Sequence, residues 1–147
     1  MRRSPAFAVL LVLLTMASAR AEFGAGVVML EHAGRPVATF GVEVASSADD
    51  RALGLMDRET LAPNKGMLFD YGEPTMARMW MRRTLIPLDM VFIDADGVVR
   101  DIHANAVPKD ETVIASPVAV RWVLEIPGGR AAAIGLQPGD RMKMKSR

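Results

Sequence analysis

The chain of 147 residues contains no cysteine, which excludes disulfides, a lipid-modified N-terminal cysteine and metal sites built from thiolates. It also lacks a serine in a nucleophile elbow, an internal repeat and any low-complexity tract. No motif of a known catalytic or metal site is present. The sequence therefore predicts no metal and no cofactor, and it favours a non-enzymatic function over an enzymatic one.

Long apolar runs are absent as well. The longest, residues 6–14, is too short to cross a bilayer as a helix, which requires roughly 20 apolar residues. It follows Arg2 and Arg3 and precedes Ala19-Arg20-Ala21, the order of a charged start, an apolar centre and a cleavage site in a secretion signal. We predict a signal peptide over residues 1–21 and an exported protein, periplasmic or extracellular, without a stable membrane anchor.

Removal of the predicted signal changes the charge balance. It takes away three of the 18 basic residues and none of the 17 acidic ones, so the mature chain carries a net charge of about −2. Proteins that bind nucleic acid usually have a strong basic excess, and this class is therefore not predicted. Residues 22–147 are long enough for one domain with its own core, expected to be a monomer whose partner is a small molecule or a protein.

The pattern of turns and β-branched residues predicts two hairpins. Residues 27–30 and 37–44 read as strands joined around Gly34-Arg35-Pro36, and residues 88–93 and 98–103 as strands joined by a turn at Asp94 to Gly97. A further strand fits residues 76–82.

Two short helices complete the predicted elements. One begins at Ala48 after a serine cap and extends to about Met56, and the other fits the segment from Gly128 to Gly135. Strands without regular strand-helix alternation predict an α+β fold, with a mainly antiparallel sheet or a small barrel-like β core and two short helices.

Several short motifs occur in a recognisable order. They are Ala52-Leu53-Gly54-Leu55-Met56, Gly66-Met67-Leu68-Phe69, Trp80-Met81, Thr84-Leu85-Ile86-Pro87-Leu88-Asp89, Phe92-Ile93-Asp94 and Val123-Leu124-Glu125. Over residues 42–142 the chain resembles the DUF192 family, a domain of unknown function. The resemblance implies a compact mixed α/β domain, often behind a signal peptide, and no established reaction. Relatives commonly have Trp-Met-Lys-Asn-Thr where this chain has Arg82 and Arg83, so an amide is missing here.

A small set of polar and aromatic side chains forms the candidate site. Alternation places Arg78, Trp80 and Arg82 on one strand face, where guanidinium groups can flank an indole and bind an anion. The candidate ligand-binding residues are Trp80, Arg82, Asp89, His103 and Asn105. Our leading hypothesis is that this face, with the loop over residues 106–117, binds a small ligand or a protein partner.

Two other functions remain open. Asp89 and His103 could carry protons in an enzyme of hydrolase or transferase type. Alternatively, Asp89 could be a structural residue that holds the preceding loop, and His103 could lie on the solvent-exposed face of an edge strand. The methionines around Met79 and Met81 could bind Cu(I), but core packing explains them more simply.

Overall fold

The structure, a computed structural model, describes residues 23–146, and for Ser146 only the backbone. The predicted signal peptide lies outside the described residues. No helix in this part of the chain is long and apolar enough to cross a membrane.

The described residues form nine strands and two helices. In chain order these are β1 (Gly24–His32), β2 (Arg35–Ala45), α1 (Ala48–Leu53), β3 (Lys65–Thr75), β4 (Arg78–Met79), β5 (Leu88–Ile93), β6 (Val99–Ala106), β7 (Ile114–Ala115), β8 (Val120–Pro127), α2 (Arg130–Ala133) and β9 (Arg141–Ser146). Both helices are very short, so strand pairing organises the fold.

Seven strands form one mixed sheet in the order β6-β5-β8-β3-β2-β1-β9, and β4 pairs with β7 in a separate ribbon. Neighbouring strands of the large sheet are antiparallel except β2 and β3, which the connection through α1 makes parallel. The predicted α+β class with a mainly antiparallel sheet is confirmed in this form. The barrel-like alternative is wrong, because the edge strands meet only at a bridge between Val98 and Arg141 and the sheet stays open.

Side chains alternate across the sheet, so each face carries its own apolar cluster. The cluster on the α2 face includes Phe40, Leu68, Val91, Leu124 and Ala131. The cluster on the α1 face includes Leu55, Met67, Phe69, Met90, Phe92 and Val123. Strand β5 is buried along its whole length, as its sequence, apolar except for Asp89, indicates.

Both predicted hairpins are confirmed, as β1 with β2 and β5 with β6. The strand predicted over residues 76–82 is wrong in length, since only Arg78 and Met79 pair with β7. Beyond them the Met81 amide donates to the carbonyl of Asp110 at 2.8 Å, which turns the chain out of the ribbon.

Helix α1 begins at the predicted residue and is capped as predicted, because the Ser47 hydroxyl accepts a hydrogen bond from the Asp50 amide at 3.0 Å. It ends at Leu53, earlier than the predicted Met56. Gly54 causes the early end, because its φ of 50° lies outside the right-handed helical region.

Gly66 lies in β3 where β8 passes too close to leave room for a side chain. A Cβ atom here would press on the backbone carbonyl oxygen of Glu125, in a paired strand that cannot easily move. We expect Gly66→Ala to lower the free energy of unfolding by about 1–3 kcal/mol, measured by urea unfolding. Gly24→Ala is the matched control, because its Cβ would meet Val44 at an ordinary 3.5 Å. Equal losses in both variants would contradict the prediction.

Candidate functional site

A small cleft opens on the α1 face of the sheet, between the end of α1 and the segment after β4. It is lined by residues 51–56, Phe69, Met79, Trp80, Arg82, Thr84 and Glu125. Its volume is about 30 Å³, room for about two water molecules. A cleft of this size admits one end of a ligand, such as a single polar group, while the rest stays on the surface.

Gly54 shapes one wall of the cleft. A Cβ atom at this position would lie 3.2 Å from the Phe69 ring, so glycine allows the end of α1 to approach β3 closely. Thr84 lies in another wall and is 5% exposed. Its hydroxyl donates to the backbone carbonyl of Arg82 at 3.2 Å, which fixes the segment that carries the arginine.

Glu125 lines the cleft from β8 and is only 4% exposed. Its neighbours across the sheet are Met67 and Met90, both fully buried. Among residues 23–146, no group forms a hydrogen bond or an ion pair with its carboxyl. Burial raises the pKa of Glu125 from 4.5 to about 8. Glu125 is therefore mainly protonated at neutral pH and can both donate and accept hydrogen bonds.

Trp80 and Arg82 are the two predicted site residues that line this cleft together. The Arg82 guanidinium carbon lies 5.3 Å from the centre of the Trp80 ring, within cation–π distance. Trp80 is 43% exposed, so much of its indole is available for contact. Arg82 also pairs with Glu111 at 3.4 Å, but both side chains are more than half exposed, and such a pair contributes little to stability and can open for a ligand.

Arg51 adds a second guanidinium to the lining. Its Nη1 donates to the backbone carbonyl of Asp70 at 3.1 Å, and its Cζ lies 5.1 Å from the ring centre of Tyr71. Burial raises the pKa of Tyr71, an effect that the charge of Arg51 opposes and the Glu125 carboxyl reinforces. Within the described chain Arg51 has no carboxylate partner, so the protein leaves its charge uncompensated there.

Asp89 lies on the opposite, α2 face of the sheet. It therefore does not line the cleft with Trp80 and Arg82, contrary to the prediction. It is fully buried. One carboxylate oxygen accepts hydrogen bonds from the amides of Asn105 at 2.8 Å and Gly129 at 3.0 Å, and the other accepts one from Ala131 at 2.8 Å. These bonds tie β5 to β6 and to the start of α2.

His103 and Asn105 are exposed on β6 and do not line the cleft either. His103 faces a separate cavity, formed with Met81 and the loop around residues 107–115. Asn105 has a φ of 53° beside a bulge, where the alternation predicted for residues 101–106 breaks down. The Asp89 carboxylate forms no hydrogen bond with His103 in residues 23–146, so the predicted acid–histidine pair is not formed there.

Glu125 and Arg51 are site residues that sequence reasoning missed. One pattern could have indicated Glu125, the one carboxylate in the apolar run from Val123 to Ile126. Strand alternation places it on the same buried face as Val123. Arg51 has no comparable pattern, because a charged residue in a short surface helix is usually solvated.

Metal ligands are sparse in this region. Among the described residues, no group of three or more His, Cys, Asp or Glu side chains is arranged to hold a metal ion. Of the methionines, Met67, Met81 and Met90 are fully buried in the apolar cluster of the α1 face. Met56 and Met79 line the cleft, and they are the thioethers there that a Cu(I) ion could reach.

Known sequences and structures resemble this chain over most of its length. The profile of the DUF192 family, described as an uncharacterized ACR, matches residues 28–144. A Sinorhizobium meliloti protein described as a candidate transcription regulator is 43% identical, with a TM-score of 0.82 over 85% of this chain and 97% of that one. A Novosphingobium aromaticivorans protein of unknown function is 41% identical, with a TM-score of 0.77 over 80% and 83%. No curated protein matches the chain.

Proposed function

We propose a function for this chain, which belongs to the DUF192 family of proteins without an established activity: it binds the polar end of a small molecule in the cleft lined by Trp80, Arg82 and Glu125. The observation that carries the proposal is the Glu125 carboxyl, which is buried beside a cleft and has no partner in the described chain. The carboxyl opens on the cleft, and burial favours its uncharged form. A ligand that supplies the missing partner accounts for its presence.

Binding without chemistry fits the cleft better than catalysis does. Catalysis by Asp89 and His103 would require contact between them, yet Asp89 binds three backbone amides on the other face of the sheet. In the cleft itself, the Thr84 hydroxyl donates to a backbone carbonyl, and no histidine lies in the lining to activate it.

The described residues do not support a role as a helix-based DNA-binding module. The description of the Sinorhizobium meliloti relative applies to that protein. In the part of this chain that the structure describes, the helices span six and four residues, too short to serve as a recognition helix in the major groove. We also propose that the domain acts outside the cytoplasm, because residues 1–21 resemble a secretion signal.

A thermal-shift screen tests the proposal. The probes are carboxylic acids, sugars, sugar acids, amino acids, Cu(I) and Zn(II), and a compound that binds only the native state raises the midpoint of unfolding. We expect Trp80→Ala to weaken binding by about fivefold to a hundredfold, because an aromatic stacking contact is worth roughly 1–3 kcal/mol. Trp80 is exposed, so its removal should leave the fold intact.

His103→Ala distinguishes the cleft from the cavity beside β6, because His103 lines only the second of these two. Binding that is lost in His103→Ala and kept in Trp80→Ala would move the site and refute the proposal. A Cu(I) shift that requires Met56 but not Trp80 would favour the copper hypothesis instead. A folded protein that responds to no compound would refute small-molecule binding and direct the search to a protein partner.

A further inference from the structure

We infer that the ligand enters the cleft as a carboxylate joined to a flat or apolar group, with the carboxylate between Glu125 and Arg82 and the apolar part against Trp80. This inference rests on the proposed function and adds the chemical class of the ligand. Charge, hydrogen-bonding capacity and the size of the cleft each contribute to it.

The charges of the lining favour an anion. Two guanidinium groups, from Arg51 and Arg82, line the cleft together with a single acidic side chain, Glu125. The Arg51 charge has no carboxylate partner among the described residues, and that of Arg82 is shared with the exposed Glu111. A ligand amine would meet two like charges in this space, whereas a carboxylate would be attracted by both.

Hydrogen bonding selects a carboxylate among anions and neutral groups. A carboxylate has only acceptor positions, so it needs a donor on each side. Protonated Glu125 supplies one donor, as two carboxyl groups can share one proton, and the Arg82 guanidinium can supply two in a planar fork. The high pKa of Glu125 is consistent with this arrangement because it keeps the proton available at neutral pH.

The dimensions of the cleft limit which part of a ligand can enter it. A volume of about 30 Å³ accommodates the three heavy atoms of a carboxylate and little more. The rest of the ligand must lie on the surface, where Trp80 and Leu53 of the lining are 43% and 39% exposed. A flat or apolar group stacked on the indole would cover both side chains.

The arrangement makes binding depend on pH through Glu125. The charged and titratable groups around it are Arg51 from α1, Tyr71 from β3 and Arg82 from the segment after β4. Burial raises the pKa of Tyr71, so its phenol keeps its proton while Glu125 loses its own. Loss of the Glu125 proton would place two carboxylates side by side and expel the ligand.

The test is a titration of the isotope-labelled full-length protein, monitored by NMR of the cleft amides, with 3-phenylpropionate as the probe. We expect its dissociation constant to be about tenfold larger at pH 9 than at pH 6.5, because about one tenth of Glu125 remains protonated one unit above a pKa of about 8. The matched amide, 3-phenylpropionamide, and the matched amine, 3-phenylpropylamine, should bind more weakly at pH 6.5.

Variants assign the effect to particular groups. Glu125→Gln should still bind 3-phenylpropionate, since its amide donates a hydrogen bond, but without the tenfold dependence on pH. Arg82→Ala should weaken binding at pH 6.5 by about tenfold or more, the effect of losing a charge-assisted hydrogen bond of about 1.5–3 kcal/mol. Arg100→Ala is the control, because it removes a guanidinium that pairs with Asp94 and does not line the cleft.

The outcomes separate the ligand class from the proposed function. Tighter binding of the amide or the amine at the cleft would overturn the carboxylate and leave the proposed function standing. A cleft that responds to no probe at millimolar concentration would overturn both. A peptide ending in phenylalanine with a free carboxylate, compared with its C-terminal amide, identifies the source: preference for the free peptide over 3-phenylpropionate assigns the ligand to a protein terminus, and the reverse to a small acid.

Discussion

Replacing Asp89 with alanine is expected to lower the free energy of unfolding by about 3–5 kcal/mol, measured by urea unfolding at pH 7. The carboxylate is fully buried and accepts hydrogen bonds from three backbone amides, those of Asn105, Gly129 and Ala131. Alanine would leave all three amides without this acceptor, the Ala131 amide in a buried position and the other two partly buried. The loss of hydrogen bonds to a charged group is about 1.5–3 kcal/mol each before the structure relaxes. The range corresponds to that of other broken buried charge networks.

Two comparisons make the Asp89 result specific. Asp89→Asn keeps one carbonyl acceptor and should lose less stability than Asp89→Ala. Glu59→Ala removes an exposed carboxylate and should change stability by less than about 0.5 kcal/mol. Amide exchange should quicken at Gly129 and Ala131 in Asp89→Ala before it does so elsewhere. A loss below about 1 kcal/mol would show that water or a shifted α2 satisfies these amides.

Local sequence patterns predicted the two hairpins and the start of α1, because nearby residues determine these elements. The two hairpins follow from turn residues between β-branched runs, and the start of α1 follows from Ser47, all of which act within a few residues. The barrel-like core and the length of the strand over residues 76–82 depend on which strands meet at a distance. Pairing of β4 with β7 joins segments more than thirty residues apart, and no local pattern encodes it.

The candidate site was predictable only where its residues are neighbours in sequence. Trp80 and Arg82 are two residues apart in the segment after β4, so their closeness in sequence brings them together although the strand ends at Met79. The prediction placed Asp89 in the same site as Trp80 and Arg82. Strand alternation puts Asp89 on the same face of β5 as Val91, but the sequence does not show that this is the α2 face of the sheet. That assignment depends on where the helices pack, which is a tertiary property.

Glu125 shows why a buried polar residue is more informative in a structure than in a sequence. In the sequence, Glu125 is the last residue of the motif Val123-Leu124-Glu125. In the fold, its carboxyl lies between Met67 and Met90 without a partner in the described chain. Burial of an unpaired carboxyl costs free energy, so an apolar replacement of similar size is expected to preserve or improve stability. Groups that weaken a fold in this way are expected at functional sites, where binding rather than stability determines the residue.

The stability of the protein should accordingly depend on pH through Glu125. Below pH 4.5 the carboxyl is protonated in both the folded and the unfolded chain, so it has no effect on the pH dependence. Between pH 4.5 and 8 the unfolded chain releases the proton and the folded chain keeps it, so the free energy of unfolding falls as pH rises, by about 5 kcal/mol in total. Above pH 8 both states are ionised and the loss is complete.

Urea unfolding of wild type and Glu125→Gln at several pH values from 4 to 9 measures this effect. The two proteins differ only at residue 125, so the difference in unfolding free energy reports on Glu125 and should shift in favour of the variant by about 5 kcal/mol across this range. Glu125→Leu should show the same shift without a polar group, and Glu111→Gln, an exposed residue near the cleft, should show almost none. A difference that stays constant with pH would mean that Glu125 is ionised in the folded protein, and the protonated donor in the cleft would then be wrong.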